Sequence, residues 1–333
     1  MNSCKPHLIV FDMDGVIVDV SESYRECIRQ TARLFFQNAE AAAELPDPLF
    51  SLEDLAEIKQ SGGLNNDWET TYRVISLLLT RVELPDIGNT AEDAAALWRT
   101  SLQQCDLLRL NEYLRSEPFP LKSLLQSAGP VENRLVKKLF TGDVGSGNII
   151  KQIFQELYLG KDLFESIYHL PAGINPGDGL INREALMVDP RLLQVLSRHH
   201  TLAIATGRPK AEAAYPLDRF GLHDVFSLVL TLDDCLQEEK KRERRTGARP
   251  SLSKPHPYML NVIAQQFAGK VHENYYIGDM PDDMIAAKRA SVPFVGIGKL
   301  SSSPDAERAR LMLMKAGAQH VIEDLAELPH LLA

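Results

Sequence analysis

Asp12 and Asp14 stand one residue apart in "LIVFDMDGVIVD", directly after a run of apolar residues. Two carboxylates at the end of a buried strand are costly to desolvate, so they call for a partner. Related groups lie far downstream. "TLAIATGR" ends in Thr206, Gly207 and Arg208, "SKPHP" offers Lys254, and "YYIGDMPDD" ends in Asp279, Asp282 and Asp283. Oxygen-rich acidic sets suit a hard cation such as Mg²⁺. A hydroxyl beside a backbone N–H suits phosphoryl oxygens. A lysine supplies a point charge for phosphate. These residue types together support the handling of a phosphate group beside a divalent cation.

The elements that would position them can be read from the pattern. From residue 200 onward strands alternate with helices: "HTLAIATG", "FSLVLTLDD", "NYYIGD", "VPFVGIG" and "HVI" are strand-like, with helical runs between them. That alternation predicts βαβ units and a mostly parallel sheet. In such sheets ligands gather outside the carboxyl ends of the strands, where these groups fall. "LIVF" predicts a further strand of the same sheet. Residues 21 to about 185 read instead as helices. Tyr24, Ile28, Thr31 and Phe35 recur at helical spacing, and Ser51 with Asp54, and Thr90 with Asp93, predict capping boxes. The expectation is an α/β domain interrupted after its first strand by a helical insert. "QEEKKRERRTGARPS" (237–251) reads as a solvated loop, "TGDVGSGN" (141–148) as a turn, and "LFESIYHLPAG" (163–173) as the return linker.

Composition narrows the class. The chain has 333 residues, 44% hydrophobic and 24% charged, with a formal net charge of −9. An acidic balance argues against nucleic acid or an anionic membrane as the main partner. The N-terminal stretch reads as a strand rather than a leader peptide. No apolar run reaches the roughly 18 residues of a transmembrane helix. Cys4, Cys27, Cys105 and Cys235 form no CxxC pair, which fits reduced thiols and predicts a cytoplasmic protein.

The four groups, in this order, resemble the haloacid dehalogenase superfamily of phosphatases, in the branch similar to phosphoglycolate phosphatase and β-phosphoglucomutase. "DMDGV", Thr206, "KPHP" and "GDMPDD" match its four motifs. The resemblance implies a Rossmann-like α/β core over residues 1–20 and 185–333, with a helical cap over 21–184 that sets specificity. It implies Mg²⁺ as cofactor, bound by the Asp12 carboxylate, the Asp14 backbone carbonyl, Asp279 and Asp283, with Asp282 less fixed by the pattern. Asp12 is then the nucleophile that forms an aspartyl-phosphate, and Asp14 the general acid. Thr206, the Gly207 N–H and Lys254 hold the phosphate. Asp19 reads either as a catalytic acid or as the N-cap of the first insert helix. Arg208 reads either as a phosphate ligand or as a solvent-facing side chain, and His256 as a helix-start residue. In the insert, Arg25, Lys59, Asn65, Asn66 and Trp68 are candidates for reading the leaving group, with a polar turn and a core tryptophan as the alternative. The implied activity is hydrolysis of a small phosphorylated metabolite. A phosphomutase and a non-catalytic phosphometabolite-binding protein are the alternatives. The expected partner is that metabolite, with homo-oligomerisation left open.

Overall fold

The structure is a computed structural model that describes residues 6–62, 66–84, 93–128, 132–175, 177–300 and 306–332, with the backbone alone at 57 and 59–62. The chain divides into two compact units, Met1–Asp19 with Glu184–Ala333, and Val20–Arg183.

In the first unit an apolar run becomes the centre of a sheet. Leu8–Phe11 (β1) is fully buried along its length. A continuous apolar strand of this kind needs cover on both faces, which is the habit of parallel sheets. Its neighbours are Thr201–Ala205 (β4) and Asn274–Gly278 (β6), both parallel to it, with Leu8 opposite Thr201 and Asn274. Leu228–Leu230 (β5), Val295–Lys299 (β7) and His320–Ile322 (β8) complete the order β5-β4-β1-β6-β7-β8. One side of the core gathers Leu8, Val10, Ala203, Met259, Ile263 and Tyr276. A separate two-stranded sheet pairs Val18–Asp19 (β2) with Ala185–Leu186 (β3), antiparallel, at the two places where the chain passes between units.

Among its described residues the second unit holds helices and no strand. Its longest helix is Ile149–Tyr168, broken by non-helical backbone at Gly160. Residues 163–168 therefore end that helix instead of forming a linker, and β3 is the return. The 141–148 turn leads into the helix, with Asn148 accepting the Lys151 N–H as its N-cap. Among the described helices none is long and apolar enough to cross a membrane.

Tertiary context changed several local expectations. Ser51 caps the helix Leu52–Gly62 through the Asp54 N–H, but the Asp54 carboxylate takes the N–H groups of Leu121 and Lys122. It thereby satisfies the open start of another helix, Pro120–Ala128. The helix Ala94–Gln103 is capped by Asp93, and Thr90 lies outside the described residues. Asp19 caps no helix. It lies in β2, and the first insert helix starts at Tyr24. Most of the charge run is a helix, Leu232–Thr246, not a loop. Thr231 and Asp234 form a capping box, Glu238 and Arg242 pair one turn apart at 3.0 Å, and Gly247 stops the helix at φ 73°.

Candidate active site

The carboxyl ends of β1, β4 and β6 converge, because parallel neighbours in register end on the same side. Asp12 follows β1 directly and is 7% exposed. Lys254, on the loop before the helix Tyr258–Gln266, places its Nζ 2.7 Å from Asp12 Oδ1 and 2.8 Å from Asp283 Oδ1. One ammonium thus bridges two carboxylates from different elements. Tyr276, inside β6, donates its hydroxyl to the same Asp283 oxygen at 2.7 Å. The other Asp283 oxygen accepts the Met280 N–H at 3.0 Å and closes the start of the helix Pro281–Arg289. Carboxylate oxygens of Asp12, Asp279 and Asp283 lie within 4.8 Å of one another.

Gly15 makes the close approach feasible. It has φ +71°, and a Cβ there would meet Asp279 Oδ2 at 2.1 Å. The turn after the two acids must therefore be glycine both for its backbone and for the carboxylate beside it. Thr206 follows β4 and is fully buried, and its Oγ1 accepts the Arg208 N–H at 3.1 Å.

Arg208 is not solvent-facing. It is 1% exposed and holds Asp14 with two nitrogens: Nε donates to Asp14 Oδ1 at 2.7 Å, and Nη2 lies 2.6 Å from it. Its Nη1 donates to Glu184 Oε2 at 3.0 Å and to the Glu212 carbonyl at 3.3 Å. Glu184, 3% exposed, directly precedes β3. A planar fork is well suited to join two carboxylates in this way. Sequence reasoning missed Glu184 and Tyr276. Glu184 carries no local signal, since a glutamate in "INREAL" resembles any linker acid.

Electrostatics match a site that expects a cation. Burial, with Asp283 and Asp14 nearby, pushes the Asp12 carboxyl up to about 7 even though Lys254 opposes it. Burial and the charges of Asp283 and Asp12 raise Asp279 well above the usual carboxylate range. Burial alone would push Lys254 down, but Asp12 and Asp283 outweigh it and hold the ammonium well above its ordinary value. Burial and Asp283 also raise Tyr276, which keeps its hydroxyl a donor. Lys299 is buried near Asp279, Asp324 and Asp19, and burial lowers it. Crowded carboxylates that favour protonation are relieved by a divalent ion, and the all-oxygen donor set fits Mg²⁺.

A stability prediction follows from Asp12. Its folded value, about 7, lies above its ordinary 3.8, so the folded state binds the extra proton between those limits. Stability from this group is full below about pH 4 and is lost as pH rises toward 7. A cation held by Asp12 would have to displace that proton. Mg²⁺ is therefore expected to raise the melting temperature more at pH 8 than at pH 6. Equal shifts at both values would break the assignment of Asp12 to the ion.

The insert candidates are placed differently. Asn66 caps the helix Asp67–Leu78, its Oδ1 taking the N–H groups of Trp68 and Glu69. The Trp68 indole N–H donates to Gln155, and Lys151 sits 4.1 Å over its ring. These contacts hold the unit together. Arg25 lies on the helix Tyr24–Phe35 and is half-buried. Asn65 and the Lys59 side chain lie outside what the structure describes. His256 accepts the Tyr258 N–H at 3.1 Å and so is a helix-start residue.

Comparison with known proteins agrees with this geometry. An imidazoleglycerol-phosphate dehydratase of Phytophthora nicotianae is 24% identical over 87% of this chain and 42% of its own length. A phosphoglycolate phosphatase of Pectobacterium atrosepticum is 27% identical over 34% of this chain and 42% of its own. The chain thus spans about two fifths of the length of the curated relatives it matches. Among solved structures, phosphatase Tt82 of Thermococcus thioreducens shares the fold, with a TM-score of 0.51 and 20% identity over 92% of this chain and 98% of that one. The profile of the haloacid dehalogenase-like hydrolases matches residues 6–291, and with the acid set assembled at the strand ends the chain belongs to that family.

Proposed function

We propose that this chain is a Mg²⁺-dependent phosphatase acting on a small phosphate monoester through an aspartyl-phosphate. One observation carries the reading. Asp12, Asp14, Thr206, Lys254, Asp279 and Asp283 belong to one unit, and the first of them is buried against a lysine and two further acids.

In the first step an Asp12 carboxylate oxygen attacks phosphorus, forming the acyl-phosphate bond as the ester P–O bond breaks. Asp14 delivers a proton to the departing alkoxide. In the second step Asp14 takes a proton from water, whose oxygen attacks phosphorus and releases Asp12 and inorganic phosphate. Lys254 keeps Asp12 oriented and its charge near the phosphoryl oxygens, and the Thr206 hydroxyl gives those oxygens a donor. Mg²⁺, held by Asp12, Asp279 and Asp283, would add positive charge to the same oxygens. A loose phosphoryl transition state leaves catalysis mainly to position and charge.

The insert unit is proposed to choose among esters, with Lys59 its first candidate because the Asn66 oxygen is already committed to capping. The relatives' names supply two esters for a first panel, phosphoglycolate and imidazoleglycerol phosphate. Phosphate release should require Mg²⁺, stop on chelation and fall severely in Asp279→Ala. Lys59→Ala should change the ratio of kcat/KM for the best metabolite to that for p-nitrophenyl phosphate by roughly 5- to 150-fold, the worth of one polar contact. Activity that survives exhaustive chelation would overturn the metal role. An unchanged ratio would move specificity elsewhere in the insert.

A further inference from the structure

The opposite rim of the sheet carries a second cluster that the proposed reaction does not use. His7 immediately precedes β1, His200 precedes β4, and His272 and Glu273 precede β6. Three adjacent parallel strands therefore begin on histidine or its neighbour, about 16 Å along β1 from Asp12 at the rise of a strand. The backbone fixes their register. The His272 N–H donates to the Pro6 carbonyl, the Leu8 N–H to the Glu273 carbonyl and the Thr201 N–H to the His7 carbonyl, each at 2.9 Å.

The side chains then meet. One ligand atom each from His7, His272 and Glu273 lies within 4.8 Å of the others. The His7 and His272 rings are 5.6 Å apart, edge to face. Two imidazoles on one tetrahedral ion, with metal–nitrogen bonds of about 2.0–2.1 Å, have centres about 5 Å apart. Tyr275 donates its hydroxyl to Glu273 Oε2 at 2.8 Å, an outer contact of the kind that orients a ligating carboxylate. The His7 Nδ1 is buried and, among the described residues, has no hydrogen-bond partner. A buried polar atom left in this way calls for an explanation. His200 stacks on His7 at 5.2 Å, and its Nδ1 accepts the His7 N–H, so it serves as a wall and not as a ligand.

We propose that His7, His272 and Glu273 form a transition-metal site of the Zn²⁺ class, distinct from the oxygen-only site at the other rim. Imidazole nitrogen selects Zn²⁺, Co²⁺ or Ni²⁺ over Mg²⁺, so the two sites sort ions by donor chemistry. Exposure of His272 and Glu273 gives the ion a path in and leaves its fourth position to water. The ion would tie the start of β1 to the start of β6.

The test is a Co²⁺ titration of the whole chain in excess Mg²⁺, read by visible absorption, with melting curves alongside. Wild type should take up one equivalent with tetrahedral bands and melt higher with it. His272→Ala and Glu273→Ala change exposed side chains and should fold normally. Each should weaken Co²⁺ by at least about tenfold while ester hydrolysis in Mg²⁺ stays as in wild type. Absence of the bands in wild type, or wild-type Co²⁺ affinity in both variants, would overturn the site.

Discussion

Asp12→Asn is expected to remove turnover and leave the fold in place. An amide has the carboxylate's size but is a poor nucleophile, so kcat should fall roughly 10⁴- to 10⁶-fold, the scale seen when a covalent enzyme loses its nucleophile. The same change removes a buried acid that burial already pushes up to about 7. In the absence of Mg²⁺ the variant should therefore melt no lower than wild type. Lys254 retains Asp283 as its partner at 2.8 Å. Acid-quenched wild type should carry a phosphoryl group on the peptide containing Asp12, and the variant should not. Turnover by the variant within tenfold of wild type would end the aspartyl-phosphate mechanism.

The second large effect centres on Arg208. Removing it leaves Glu184 buried beside an empty fork, and breaking a buried ion pair from one side costs about 3–5 kcal/mol. Arg208→Met should be destabilised by that amount. Adding Glu184→Gln removes the stranded charge and should recover much of the loss. Asp14 would still lack the guanidinium that orients it, so kcat in the double variant should remain roughly 10²-fold down or more, the range of a mispositioned acid–base group. Stability and turnover then separate. A double variant with restored melting and wild-type kcat would make Arg208 a structural residue only.

The candidate site was legible because its residues lie in short stretches whose order carries the pattern. Each of "DMDG", "TG", "KPHP" and "GDMPDD" sits at an element boundary that hydrophobic pattern alone locates. Arg208 and Glu184 were not legible in their roles. Whether an arginine after a turn is buried depends on where the glutamate just before the return strand arrives, and nothing local encodes that. The run 237–251 misled for a related reason. Charge density suggested a loop, while the capping box begins at Thr231, ahead of the run, and the stop at Gly247 lies inside it. In the insert, Asn66 next to a tryptophan resembled a binding loop, but a helix start needs an N-cap oxygen and Asn66 supplies it.

The position of β1 also sets an order of assembly. It is the central strand, yet both of its partners, β4 and β6, are encoded after the whole insert. During synthesis β1 leaves the ribosome before either partner and waits unpaired while the insert helices, whose contacts are more local, can already fold. The candidate acids at its end remain apart from Lys254 and Asp279 until those later segments have emerged. A nascent chain halted before β6 is thus expected to hold a folded insert and no working hydrolase.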